Sequence, residues 1–200
     1  MLVEENGVIH QERASALGYL VKVVVLQQYD KVNDFKYLYL KYGGATLTKE
    51  QMELECPSWD SRWIVSQTFT AMSLEAFYFD YIQNNASKTQ AGKKRTSPQR
   101  FQYICNEILK INTNEVNKLF DKLVLLDKTR THWVHNKSAD FENYNKVPEF
   151  FSSDECIKIL LEVFELISKN DSSCIVARET ACILKQVQEN VANEVAALTP

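Results

Sequence analysis

The chain has no surplus of positive charge. Its 23 lysines and arginines are outweighed by 26 acids, a net charge of −3. It is not a polycation, so any nucleic-acid binding must come from a local patch. It also lacks a long apolar run, so nothing is expected to span a membrane. Its first residues, MLVEENGVIHQERA, are acidic and mixed, unlike a signal peptide. No Cys-x-x-Cys pair occurs among Cys56, Cys105, Cys156, Cys174 and Cys182. That argues against a zinc site, and the odd count points to reduced, buried thiols in a cytoplasmic protein. Cys105 and Cys182 in particular lie in apolar helical settings. A glycine-rich phosphate loop, a nucleophile elbow and a zincin motif are all missing. So are an internal repeat and a clear linker.

What is present fits one all-α domain, or two small ones. The content is 45% hydrophobic and 24% charged over 200 residues, enough for a sizeable core. Residues 1–57 read as an N-terminal helical extension packed on a bundle, and 58–200 as the bundle itself. A helix is expected from about Ile9 to Tyr29. The β-branched run from Tyr19 to Leu26 offers a small β element as the alternative, and the crowded apolar residues of Phe35 to Tyr42 raise the same question. Gly43-Gly44 breaks the chain. Thr48 to Gln51 is a capping box for a short helix that Pro57 stops. Ser58 is expected to cap a long helix, Trp59 to Asn85, apolar nearly all round and therefore the buried centre. Residues 86–100 read as a mobile basic loop. Ser97-Pro98 starts a helix to about Ile111. Another runs from about Glu115 through His135. A turn-rich segment follows. Ser152 to Glu155 caps a helix to about Lys169, and Asp171 to Ser173 caps a last one to about Leu198.

The helix ending at His135 carries the functional clue. Val116, Leu119, Leu123 and Leu126 form one apolar stripe. Continued, that stripe reaches Arg130 and then Trp133. Burying an unpaired guanidinium costs several kcal/mol, so Arg130 needs an anion or a wet cleft. On the long central helix, Glu75 is the single acid between Asp60 and Asp80, and a glutamate is almost never fully buried alone. Glu75 is therefore expected to face Arg130. His135 follows Arg130 by five residues, about 140° round a helix. The two converge if the helix frays, or if a two-fold dimer sets two such pairs round one groove. That groove suits a phosphodiester: arginine holds the anion, and histidine moves a proton near neutral pH. With RNA the neighbouring 2′-hydroxyl is the nucleophile, so no metal or other cofactor is required. Lys88, Lys93, Lys94, Arg95 and Arg100, with no acid among residues 86–100, would attract RNA phosphates.

Ser73-Leu74-Glu75-Ala76-Phe77 with Asp80-Tyr81-Ile82, followed by Arg130-Thr131-His132-Trp133-Val134-His135, resembles the HEPN family over roughly residues 58–198. The resemblance implies an antiparallel bundle of four or five core helices, dimerised through the motif helices. It further implies a metal-independent endoribonuclease leaving a 2′,3′-cyclic phosphate, as in bacterial toxin–antitoxin and phage-defence systems, where a cognate antitoxin or defence protein would be a partner. Arg130 and His135 would take the catalytic positions and Glu75 the supporting acidic one. Thr131 stands where the family most often has asparagine and would assist with a hydroxyl. Some members bind without cutting, so a nucleotide-, RNA- or protein-binding module is the alternative. Other readings are a metal on His132 and His135, which lacks a third ligand, an Arg130–Trp133 stack, and a scaffold in which Arg130–Glu75 only specifies packing. His10 reads as structural.

Overall fold

The computed structural model describes the backbone of residues 9–111, 113–135 and 151–198, and their side chains apart from 9–15, 59–60, 113–115 and 133–135. Among the described residues every regular element is helical. The elements are α1 (Ile9–Tyr42), α2 (Lys49–Glu55), α3 (Trp59–Asn85), α4 (Lys88–Lys93), α5 (Ser97–Tyr103), α6 (Thr113–His135), α7 (Ser153–Asn170) and α8 (Ile175–Ala196). After Tyr103 the α5 helix loosens into π-helical turns over Ile104–Leu109.

The β alternative near the start is not realised: α1 is one unbroken helix of 34 residues. Leu17, Val21, Val24, Gln28 and Val32 are buried, and their spacing of three and four is a helical stripe. A valine in a helix loses at most about 0.7 kcal/mol of propensity. Burying it gains about 1.5–3 kcal/mol, so packing on α3, α7 and α8 wins. Gly43 (φ 62°) and Gly44 (φ 81°) then stop the helix in left-handed backbone, as glycine allows.

The middle of the bundle is α3, which packs against α1, α4, α5, α6 and α7. Leu74, Tyr78 and Ile82 have no exposed surface. Phe77 meets Phe164 of α7 edge-on, with ring centroids 4.9 Å apart. Two details depart from the apolar reading of this helix. Ser66, Gln67, Thr70 and Ser73 are buried polar residues, and Met72 is exposed. Buried hydroxyls need partners. Ser66 Oγ and Ser153 Oγ share a hydrogen bond of 2.8 Å, and Ser73 Oγ donates to the Phe69 carbonyl at 2.7 Å. Ser58 does not cap α3 through its side chain. Its hydroxyl instead accepts from Arg62, whose guanidinium also reaches Asp34 of α1 at 2.8 Å.

The expected capping boxes are present at Thr48/Gln51 and Ser152/Glu155. A third, unforeseen, pairs Thr96 with Gln99 ahead of α5. The last helix starts later than expected, at Ile175 after Cys174. The cysteines also divide: Cys56, Cys105 and Cys156 are buried, Cys174 is half-buried, and Cys182 lies on the exposed side of α8. An apolar neighbourhood in sequence did not place Cys182 on the buried stripe of Ala177, Ala181, Leu184 and Val187.

Candidate functional site

The site lies where α3, α5 and α6 pack together. The α6 stripe of Val116, Leu119, Leu123 and Leu126 is buried, which fixes the rotation of the helix and aims Arg130 at α3. Arg130 is held one turn beyond Leu126 and stays partly exposed, with its side chain 26% accessible. A guanidinium nitrogen of Arg130 stands 3.7 Å from Glu75 Oε2. The two charges therefore meet, as their misfit with the apolar stripes requires. At that length the contact is an ion pair and not a hydrogen bond. With Glu75 itself 39% accessible, such a pair adds less than about 1 kcal/mol of stability. It orients more than it stabilises.

Arg130 retains hydrogen-bonding capacity. Its Nε is buried without a hydrogen-bond partner. A buried donor left open usually costs about 1–3 kcal/mol, and such a group in a native structure calls for an explanation. That nitrogen is closed to solvent, so an anion would meet the accessible part of the Arg130 side chain instead.

Arg100 belongs to this cluster. Expected among the RNA contacts of a mobile loop, its guanidinium is instead turned inward, with the side chain 11% accessible. Its Nη1 lies 3.5 Å from Glu75 Oε1 and 3.4 Å from the Glu75 carbonyl oxygen. Its Nε donates to the Lys94 carbonyl at 3.1 Å, and it sits 5.4 Å from the centre of the Phe79 ring. Glu75 thus has one arginine on each carboxylate oxygen. The rest of the presumed loop is largely ordered as α4. Ser87 accepts from the Gln90 amide at its start, and Ala91 is fully buried beneath it. Lys88, Lys93 and Arg95 point to solvent, while Lys94 is half-buried. These four keep the surface position expected of phosphate contacts.

Asp127 is the acid that sequence reasoning missed. Burial pushes its carboxyl above the usual carboxylate range, Arg130 pulls it back, and the charge on Glu75 pushes it further up. The signal was available: Asp127 lies three residues before Arg130, a spacing at which helical side chains meet. Thr131 is exposed on α6. Its neighbour Thr129 is fully buried, its hydroxyl donating to the Leu125 carbonyl at 2.9 Å.

His135 ends α6. Its side chain lies outside the described residues, as do those of His10 and Trp133, so the Arg130–Trp133 stack and the two-histidine metal site fall outside them too. Among the described residues no cluster of three or more metal-ligating side chains occurs, and no helix is long and apolar enough to cross a membrane. Comparisons with protein-family models, with curated proteins and with solved structures give no match for this chain.

Proposed function

We propose that the protein is a metal-independent endoribonuclease of HEPN type, the toxin or effector of a bacterial defence or toxin–antitoxin system, working as a cytoplasmic homodimer through α6. The observation that carries this reading is Arg130: a guanidinium at the end of a core stripe, paired with Glu75 at 3.7 Å and still partly exposed, its side chain 26% accessible. That is the disposition a phosphate-binding arginine needs.

In this reaction the RNA 2′-oxygen attacks the adjacent phosphorus while the bond from phosphorus to the 5′-oxygen breaks. His135 takes the proton from the 2′-hydroxyl and returns one to the departing 5′-oxygen. The products are a 2′,3′-cyclic phosphate and a 5′-hydroxyl. Arg130 binds the non-bridging oxygens and stabilises the charge that builds on them. Glu75 keeps Arg130 aimed, Arg100 fixes Glu75 from the other side, and Thr131 assists with its hydroxyl. The nucleophile comes with the substrate, so the chemistry requires no cofactor. The test is cleavage of RNA by purified protein in EDTA. Arg130→Ala and His135→Ala should each lose about 100-fold or more of the wild-type rate. Equal rates in all three proteins would reject the assignment.

A second reading has its own support in Glu75, whose two oxygens each face an arginine. So balanced a cluster also suits a HEPN-like module that binds RNA, a nucleotide or a protein without cutting. It predicts that Arg130→Ala lowers the melting temperature and that no RNA is cut at any protein concentration.

A further inference from the structure

Beside the Arg100 clamp lies a cleft of about 390 Å³, lined by Lys93, Lys94, Gln99, Gln102, Tyr103, Asn106 and Glu107. Pockets for small ligands run from about 300 to 1,000 Å³, so one nucleotide fits. Resting on the ribonuclease reading above, we propose that this cleft is the subsite that seats an unpaired nucleotide of single-stranded RNA, its base against Tyr103 and its phosphate at Lys93 and Lys94.

The chemistry of the lining is what an unpaired nucleotide needs. Single-stranded RNA is held by aromatic stacking, by cations along the backbone and by polar groups that meet the base edges. The Lys94 ammonium lies over the Tyr103 ring, 5.1 Å from its centre, so this flexible side chain would leave the ring for the phosphate as the base takes its place. Three carboxamides, Gln99, Gln102 and Asn106, bring donors and acceptors. Gln99 is already oriented. Its carbonyl oxygen accepts from the backbone amides of Arg95 and Thr96 at 3.1 and 3.3 Å, which leaves its NH2 end to donate. Glu107 pairs with Lys110 at 3.5 Å. Its negative charge keeps a phosphate toward the lysines and so sets the direction in which the nucleotide lies.

The backbone here is unusual as well. Tyr103 immediately precedes the π-helical turns, which end at Lys110 with φ 56°. Such turns are rare and frequent at functional sites. A non-glycine residue at positive φ costs of order 1 kcal/mol or more. The cleft also communicates with the candidate active site. The Lys94 carbonyl accepts from Arg100, and Arg100 faces Glu75, the partner of Arg130. A strand seated on Tyr103 is therefore one arginine side chain away from the Glu75–Arg130 pair.

The proposal is tested by fluorescence anisotropy, with a fluorescein-labelled single-stranded RNA dodecamer of mixed sequence and full-length protein carrying His135→Ala, so that the probe survives. The single strand should bind more tightly than the same sequence as a duplex. Tyr103→Leu should weaken binding about 10-fold, and Tyr103→Phe should restore it, since stacking needs the ring and not the hydroxyl. Lys93→Gln with Lys94→Gln should weaken binding and flatten the dependence of log affinity on log salt by about 1.4, the value for two phosphate contacts on a single strand. Gln102→Ala, at an exposed position, should weaken binding without lowering the melting temperature, which guards against a folding defect in the Tyr103 variants. The proposal is overturned if the parent does not bind the single strand, or if the leucine and double-glutamine variants bind like the parent. Cleavage by the His135-bearing protein in EDTA is scored separately. Cleavage untouched by these substitutions removes the subsite and leaves the ribonuclease. Binding through Tyr103 with no cleavage by any protein does the reverse.

Discussion

Two carboxylates in this molecule meet cations in opposite ways. Glu55, at the end of α2, is saturated. It accepts from Lys41 Nζ at 2.7 and 2.8 Å, from Tyr42 at 2.7 Å and from Tyr37 at 2.9 Å. Glu75 is not: its two arginines stand at 3.5 and 3.7 Å. Glu55 is a fastener that clips a short helix without buried residues to the end of α1. Around Glu75 the contacts are longer, and both Glu75 and Arg130 keep part of their side chains exposed. Short, complete contacts mark a place that is finished within the chain. Long, incomplete ones mark a place that something else completes.

The contrast breaks first at the packing. If the leucine stripe and not the ion pair holds Arg130, Leu126→Ala should cost about 3 kcal/mol in denaturant unfolding, while Glu75→Gln should cost less than about 1 kcal/mol. A larger loss for Glu75→Gln would make that site a fastener too. The next effect is on activity. Glu75→Gln should slow RNA cleavage by roughly 10-fold as Arg130 loses its aim, whereas Glu55→Gln should leave the rate unchanged. Equal slowing by the two would erase the distinction.

A pH titration sharpens the contrast further. The bonds from Lys41, then Tyr42 and Tyr37, hold the Glu55 carboxyl down at about 2 against an ordinary value of 4.5. A depressed carboxylate stabilises the fold fully above its unfolded value and loses that contribution as pH falls through the folded one. The protection of the α2 amides, measured against the intrinsic exchange rate at each pH, should therefore fall between about pH 4.5 and 2, and Glu55→Gln should remove that step. The smallest effect concerns Asp127, whose carboxyl is shifted the other way, chiefly by burial. Its ionised form opposes folding, so stability is highest below the ordinary aspartate value and falls as pH rises through the shifted one. Asp127→Asn should raise the melting temperature at pH 7, and the gain should vanish below about pH 4. A gain that persists in acid would show that the amide acts by something other than charge.

The Glu75–Arg130 meeting was legible in sequence because each charge interrupts an apolar stripe, and an interruption on two neighbouring helices asks for a common answer. Arg100 was not. In sequence it ends a run of cations, and nothing local separates a guanidinium that folds inward from a lysine that points outward. That choice depends on how α5 approaches α3. The N-terminal helix was half legible. Its valines favour strands locally, but the spacing of Leu17, Val21, Val24, Gln28 and Val32 already carried the helical answer. Ser58 shows the limit of cap patterns, since a nearby arginine took the hydroxyl that the helix start would have used.

The length of α1 has a mechanical consequence. Thirty-four residues make a rod of about 50 Å, whereas a compact chain of this size measures about 40 Å across. Toward its far end Tyr37 and Leu40 are 48% and 77% accessible, and that end is held to α2 by the Lys41–Glu55 pair and to α8 by Lys36 and Glu194. Its tip, held largely by polar contacts, can fray once those part, while its root, around Val21 and Val24, stays shut. Glu55→Gln should therefore open the bond after Lys41, next to the glycine pair, to trypsin sooner than in the wild type.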